Sequence, residues 1–424
     1  MKLNYKRTIF IGFAFLSICS FWQMYDNIIP LILQNTFGLK ETVVGFVMSI
    51  DNILAVFLLP LIGGISDRVD TRLGKRTPFI IVGTIVSVVF MLLLPFADSA
   101  EIFWLFVLAL GVTLFSMAMY RTPAVALMPD LTPRPLRSKG NAIINLMGAL
   151  GAIYTLILIK TIVDPGDRPN YFPLFIGIAG IMIIAVIILI FTIHEKSLAK
   201  TIAEEYPEEA KEDAKIEEEG LSPDVKKSLM FILISISLWF MAYNAVTTAF
   251  SRYATKVWGL GGGAYAGCLM VATVAAVLSY IPIGFISEKL GRKKTIMGGV
   301  VIMIICYLSA SFFSNFNFVI NVFFAFIGFS WAAINVNSLP MVVEMSKGSD
   351  IGKYTGLYYT FSMSAQIVTP ILSGFLLQHV SYKTLFPYAV FFMLLAFISM
   401  IQVKHGDSKP TKKKSVIEHF DVDD

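Results

Sequence analysis

The chain has 424 residues, of which 56% are hydrophobic and 15% charged, with a formal charge of +5 and a mean hydropathy of +0.73. A soluble domain carries about 25% charged residues, so the composition excludes a water-soluble chain and makes the bilayer its solvent. Unbroken apolar runs such as 174–191 exclude a transmembrane β-barrel, whose strands alternate within ~10-residue segments. Cys19, Cys268 and Cys306 are far apart and lack CxxC spacing, which excludes disulfide frameworks, zinc sites and iron–sulfur clusters.

In chain order, runs of about 20 apolar residues bounded by charges or Gly/Pro clusters predict spans. They fall near 8–34, 42–65, 78–96, 102–128, 141–163 and 171–193. Residues 194–226 are acid-rich and include Glu217, Glu218 and Glu219, so they read as a solvated, partly helical linker. Six more spans follow near 228–254, 264–286, 295–313, 317–340, 353–377 and 384–402. The predicted organisation is a six-helix bundle over 1–193, a linker over 194–226, a second bundle over 227–403 and a disordered tail over 404–424.

With the N-terminus inside, 27 of the 34 Lys and Arg residues fall on the inner side, six on the outer side, and Arg121 lies within a span. That bias places both termini and the linker in the cytoplasm, with the chain multi-pass in a cell membrane. The first apolar segment is too long for a secretory core and shows no cleavage site, so it stays attached as a span.

An internal repeat joins the halves. The loop after the second span runs Gly64-Ile-Ser66-Asp67-Arg68-Val-Asp70-Thr-Arg72-Leu73-Gly74-Lys75-Arg76; the loop after the eighth runs Gly284-Phe-Ile-Ser287-Glu288-Lys289-Leu290-Gly291-Arg292-Lys293-Lys294. Ala126 to Asp130 in the fourth span is echoed by Pro340 to Glu344 in the tenth. Two halves related in parallel follow. Glycines permit sharp turns at helix ends, and Asp67 near Arg68, Arg72 and Arg76 offers ion pairs that form in one state and break in another. With Gly74, Asp130, Glu288, Gly291, Arg292 and Glu344 these make a candidate cytoplasmic gate; the bland alternative is topology charges and helix caps.

These loops resemble the signature G-x-x-x-D-R/K-x-G-R/K-R/K of the major facilitator superfamily, a resemblance covering nearly the whole chain. The longer form from Ser66 to Ile80 is similar to the sucrose-transporter and glycoside-pentoside-hexuronide cation symporter branch, with Leu73 for the usual Phe, and Lys75 and Thr77 for two arginines. Val125-Ala-Leu-Met-Pro-Asp130 resembles the R-A-L-M-A-D stretch of plant sucrose transporters, with Val125 at the Arg position and Arg121 one turn earlier. The resemblance implies an all-α membrane protein of twelve transmembrane helices in two parallel-related six-helix bundles. It also implies alternating access, a cavity lined by the first, fourth, seventh and tenth spans, and no covalent chemistry, so the chain is not expected to be an enzyme.

An ionisable residue within a span costs at least ~2.5 kcal/mol and is a functional hypothesis by default. Asp26, Asp51 and Arg121 qualify. At ~1.5 Å per residue, Asp26 lies about 27 Å above the inner end of its helix, Asp51 about 22 Å above Ser66 and Arg121 about 13 Å above Asp130. Direct pairing of Arg121 with either acid does not follow from those heights. Around Asp26 the sequence Trp22-Gln23-Met24-Tyr25-Asp26-Asn27 supplies carboxylate, amides and an aromatic platform, as sugar binding requires. An interfacial aromatic belt with a snorkelling acid is the alternative.

The second half offers Trp239, Tyr243, Asn244, Trp331, Asn335, Asn337, Tyr358, Tyr359, Ser362 and Gln366 without a buried charge. Candidate substrate contacts are therefore Trp22, Gln23, Asp26, Asn27, Arg121, Tyr243, Asn244, Asn335 and Tyr358; Asp51, Asp26 and Arg121 are candidates for proton coupling. His194, His379, His405 and His419 lie in loops or tails, so carboxylates must carry any proton.

The leading expectation is a proton-coupled symporter for a mono- or disaccharide or glycoside, with no resident cofactor or metal and sodium as the near variant. No GxxxxGK(S/T) occurs, which excludes an ATP-driven pump. A drug or metabolite efflux antiporter is the runner-up within transport, and a non-transporting receptor or scaffold the alternative from another class. Expected partners are a small sugar and the lipid bilayer, not nucleic acid, with the monomer as the functional unit.

Overall fold

The computed structural model describes residues 3–132, 137–166, 168–205, 222–345 and 351–407; the side chains of 60, 137–139, 202–205, 288 and 351–353 are outside the description. The elements in order are α1 (Tyr5–Asn35), α2 (Glu41–Arg68), α3 (Thr77–Ser99), α4 (Phe103–Asp130), α5 (Arg137–Ile162), α6 (Phe172–Thr192) and α7 (Glu195–Glu205). There follow α8 (Pro223–Trp258), α9 (Ala266–Leu290), α10 (Arg292–Ser311), α11 (Val319–Glu344), α12 (Ile351–His379), a single 3-10 turn (Tyr382–Thr384) and α13 (Leu385–Ile401).

Twelve helices among the described residues are long and apolar enough to cross a membrane, and they match the twelve predicted spans. The thirteenth, α7, occupies the start of the linker. Helix is the form these sequences take because a segment in hydrocarbon must satisfy every backbone N–H and C=O internally. Large apolar side chains such as Phe57, Leu278 and Phe312 are more than two-thirds exposed, as a surface meeting lipid tails requires.

The helices form two compact units. The first holds the described parts of Met1–Gly38, Asp51–Lys215 and Gly262–Ala264; the second holds those of Leu39–Ile50, Ile216–Gly261 and Tyr265–Asp424. The units thus cross the sequence boundaries in two places. The outer turns of α2 pack in the second unit, where the backbone of Gly45 approaches Pro370 so closely that a Cβ would stand 1.9 Å from its carbonyl oxygen.

Each unit repeats the same pairings. In the first, α1 packs on α5 and α6, and α3 on α4 and α6; in the second, α8 packs on α12 and α13, and α10 on α11 and α13. Small residues permit this, as is usual where lipid offers no hydrophobic drive between helices. Gly83 of α3 lies against Ser116 and Tyr120 of α4, and Gly299 of α10 against Ser330 and Ala333 of α11, with a Cβ at either glycine meeting a neighbour at 2.9 Å. Between α1 and α5, Ser20 Oγ donates to Gly151 O at 3.1 Å and Thr155 Oγ1 to Ser20 O at 2.9 Å.

The expected disordered tail begins later than the sequence suggests. Lys404 N donates to Ser228 Oγ at 3.1 Å, His405 Nδ1 lies 2.8 Å from the same hydroxyl, and Asp407 hydrogen-bonds the start of α10. Residues 408–424 and the Glu217–Glu219 run lie outside the described residues.

Candidate functional site

In the first unit, α1, α2 and α4 carry the three intramembrane charges. Trp22, Gln23 and Asp26 are partly accessible and share a face of α1, whereas Asn27 is buried and its Nδ2 donates to Gln23 O at 2.9 Å. This bond closes within α1. Asp51 and Arg121 are partly accessible, and Asn52 Nδ2 donates to Asp51 Oδ1 at 3.0 Å.

The structure brings the charges together more than the heights suggested. Asp26 and Asp51 act electrostatically on one another, and Arg121 acts on Asp51. Among the described residues no direct ion pair joins Arg121 to either acid, so the three are coupled through space without touching. On the same helices Trp22 Nε1, Tyr25 Oη and Thr122 Oγ1 are buried without a hydrogen bond. Unmade hydrogen bonds in a low-dielectric site cost free energy that an incoming polar group can recover. The Trp22 ring is held edge-on by Phe21 and Tyr25, with centroids 5.1 and 5.4 Å away.

The second unit offers an aromatic wall. Tyr243 of α8 and Trp331 of α11 stack face to face, centroids 3.7 Å apart and planes 3° from parallel, with Phe240 edge-on to Trp331 at 5.4 Å. Beside them Asn244 Nδ2 is buried without a partner. Of the other expected contacts, Asn335 is buried, its backbone carbonyl accepting from Ser338 Oγ within α11 at 3.3 Å, and Tyr358 is buried with its hydroxyl 3.2 Å from that of Ser338. The Tyr358–Ser338 contact joins α12 to α11.

At the charged ends of the helices the gate residues sort clearly. Arg76 is buried and donates to Ser66 Oγ, to Asp67 and, at 2.8 Å, to Asp130 Oδ2; Lys75 reaches the same Asp130 oxygen at 3.3 Å. Burial alone lowers the Arg76 pKa, and the hydrogen bond and charge of Asp130, then those of Asp67, more than offset it, so the net direction is upward. Arg68 and Arg72 remain exposed and outside this network. In the second unit Arg292 pairs with Glu344, the counterpart of Arg76 with Asp130. The side chain of Glu288 is outside the described residues.

Sequence reasoning missed the residues that organise these turns. Gly74 has φ +111°, and the carboxylate of Glu195 sits where its Cβ would be, 2.3 Å away. Glu195 is buried and accepts from the backbone N–H groups of Lys75 (2.8 Å), Arg76 (2.9 Å) and Thr77 (2.8 Å), and from Thr77 Oγ1 (2.7 Å). It satisfies the free donors that every helix start leaves, and its charge suits the positive end of the α3 dipole. Asp407 does the same in the second unit: Lys293 N donates to it at 2.7 Å, and it lies 3.0 Å from a Cβ position on Gly291, whose φ is +93°. The available signal was an acid following the last span of each half.

A second unanticipated feature lies at the start of α2, within the second unit. Glu41 and Arg252 are each 3% exposed and form an ion pair at 2.9 Å; Arg252 Nη1 also donates to Thr248 O at 2.9 Å, and Tyr382 donates to Glu41. Thr42 donates to Gln378 Oε1 from its backbone (3.1 Å) and its hydroxyl (2.8 Å).

Twelve membrane-crossing helices in two repeated six-helix bundles, with ionisable groups held inside, define a multi-pass membrane transporter fold. A family profile described as "MFS/sugar transport protein" matches residues 10–383, and the chain belongs to that family of the major facilitator superfamily. It is 24% identical over 393 residues, 88% of each chain, to the uncharacterized MFS-type transporter MJ1317 of Methanocaldococcus jannaschii. Among solved structures it resembles a point mutant of the nucleoside transporter NupG, with TM-score 0.69, 15% identity and coverage of 95% of this chain and 100% of that one. It also resembles a bacterial homolog of the human lysosomal transporter Spinster, with TM-score 0.69, 13% identity and coverage of 97% and 100%. FucP, another transporter of the superfamily, matches with TM-score 0.56, 14% identity and coverage of 95% and 100%.

Proposed function

We propose that the chain is a proton-coupled symporter for a sugar of one or two rings or a glycoside, working as a monomer by alternating access in a cell membrane with both termini cytoplasmic. The observation that carries this reading is the partly accessible cluster of Asp26, Asp51 and Arg121 among unpartnered polar groups. Two carboxylates and one guanidinium leave one negative charge uncompensated, and charge in hydrocarbon costs at least ~2.5 kcal/mol. A proton on one carboxylate cancels that excess, so the loaded site is neutral. Release of the proton restores the charge imbalance, which gives the two states different energies and couples ion to substrate. In the first unit sugar hydroxyls satisfy Gln23, Asp26 and Trp22 Nε1, while the face of Trp22 suits the apolar face of a pyranose. Asn244 and the ring of Tyr243 offer the same chemistry in the second unit. The family description, MFS/sugar transport protein, supports the substrate class.

Proteoliposomes containing a pH-sensitive dye and offered a panel of sugars test the reading. Lumenal acidification with at least one mono- or disaccharide or glycoside is expected. Asp51→Asn is expected to abolish acidification while sugar counterflow continues, and Arg121→Ala to abolish both. Failure of every sugar to move, with nucleosides or amphipathic drugs moving instead, refutes it.

A further inference from the structure

The clasp at the start of α2 is built from contacts that can part. α2 runs from the second unit, which holds 39–50, into the first, which holds Asp51 and the helix beyond it. Its first turns meet α12 through backbone: a Cβ at Gly45 would stand 1.9 Å from Pro370 O, and one at Gly374 would stand 2.5 Å from Glu41 O. A glycine of each helix thus faces the main chain of the other, so no side chain interlocks at those positions, and both backbones keep their own helical hydrogen bonds when they separate.

The polar part of the clasp has the same character. Arg252 pairs with Glu41 at 2.9 Å, Tyr382 donates to Glu41, Lys256 Nζ donates to Tyr382 Oη at 2.8 Å, and Thr42 Oγ1 donates to Gln378 Oε1 at 2.8 Å. Taking two charges out of water costs much of what their attraction returns, and hydration repays each when they separate. Glu41 is also the first residue of α2, where a negative charge is favourable with or without Arg252. The pair is therefore a contact of small net worth that can be made and broken, provided both partners return to water together.

The repeat shows a matching exchange. Gly262–Ala264, just before α9, belongs to the first unit, where Gly263 N donates to Val163 O at 3.1 Å and a Cβ at Gly263 would stand 1.9 Å from Ile159 O of α5. α2 and α9 are the second spans of their halves, and α12 and α5 are the fifth. Glycine against backbone at this place is thus a property of both halves, to which Glu41 and Arg252 add a charged pair. We propose that the clasp around Glu41 is a reversible latch on α2, which forms and breaks in each transport cycle and, while closed, fixes the outer turns of the helix that carries Asp51. The proposal rests on the alternating-access reading above.

Thr42→Cys and Gln378→Cys are introduced together, and the full-length protein in proteoliposomes is treated with a short bifunctional thiosulfonate. The parent with its native Cys19, Cys268 and Cys306, treated alike, is the control. The pair is expected to cross-link and to lose sugar counterflow at least tenfold, with recovery on adding reductant, while each single variant treated alike keeps its activity. A segment merely packed in place would transport at the parental rate with the link intact. In a second arm, Thr42→Cys is labelled by a membrane-impermeant maleimide with no sugar present. Adding Tyr382→Phe, which removes a hydroxyl from Glu41 without stranding either charge, is expected to speed labelling at least threefold with the melting temperature unchanged. That arm decides the latch even where no sugar moves and the transport reading fails. Failure of the pair to cross-link, parental counterflow across the closed link, or equal labelling with and without Tyr382→Phe overturns the proposal.

Discussion

Replacing Gly74 by Ala tests the most constrained turn in the first unit, and the cost follows from two separable causes. At φ +111° an L side chain is strained by about 1–3 kcal/mol. The new methyl also falls 2.3 Å from the Glu195 carboxyl, which must move and release the three backbone donors it holds. Loss of a helix cap costs about 1–2 kcal/mol, and hydrogen bonds to a charged acceptor about 1.5–3 kcal/mol each when broken in a buried site. Glu195→Ala alone should then cost about 3 kcal/mol, and Glu195→Gln about half, because one carbonyl oxygen remains to accept. At roughly 2–4 °C per kcal/mol for a unit of this size, Glu195→Ala lowers the melting temperature by about 6–12 °C. The steric part of Gly74→Ala vanishes once Glu195 is removed, while the φ strain persists. The double variant Gly74→Ala/Glu195→Ala should therefore be less destabilised than the sum of the singles, by at least about 1 kcal/mol. Thermal unfolding of the four proteins in one detergent measures this cycle. Single variants melting within 1 °C of the parent, or a strictly additive double, would show that Glu195 does not cap α3.

Glu41→Gln or Arg252→Gln strands one charge of a pair that is 3% exposed on each side, and each should cost about 3–5 kcal/mol in the second unit, measured by the same melting assay. Replacing both by Met should cost less than either single change, since no buried charge is left; equal or greater loss in the double refutes that account. Trp331→Ala removes the stacking partner of Tyr243 and should weaken sugar affinity about tenfold in equilibrium binding, whereas Trp239→Ala, fully buried, should mainly lower the melting temperature. Arg76→Lys keeps the charge but cannot reach Ser66, Asp67 and Asp130 together, so limited trypsin digestion should cut after Arg68 and Arg72 faster than in the parent; an unchanged rate argues against that network holding the loop.

Much of this protein is set by sequence composition. An apolar run of twenty residues has one stable form in a bilayer, so twelve spans, the central break and the repeated loop could be read without tertiary information. The same solvent makes Asp26, Asp51 and Arg121 conspicuous, because nothing but function or pairing offsets their cost. What the sequence could not give is contact between segments far apart in the chain. Sequence adjacency placed Asn27 beside Asp26, yet the turn of α1 buries it and bonds its amide to Gln23 O; Tyr358 has suitable chemistry, yet its hydroxyl lies against that of Ser338 in α11. Glu195 and Asp407 looked like linker and tail acids, since their role depends on the chain returning to the start of α3 and of α10. Glu41 and Arg252, 211 positions apart, carry no pairing signal in the sequence for the same reason. Local periodicity and the cost of charge in lipid decided the spans and the ionisable centre; only the packing of distant helix ends decided which charges are caps, which are clasped pairs, and which stay partly accessible.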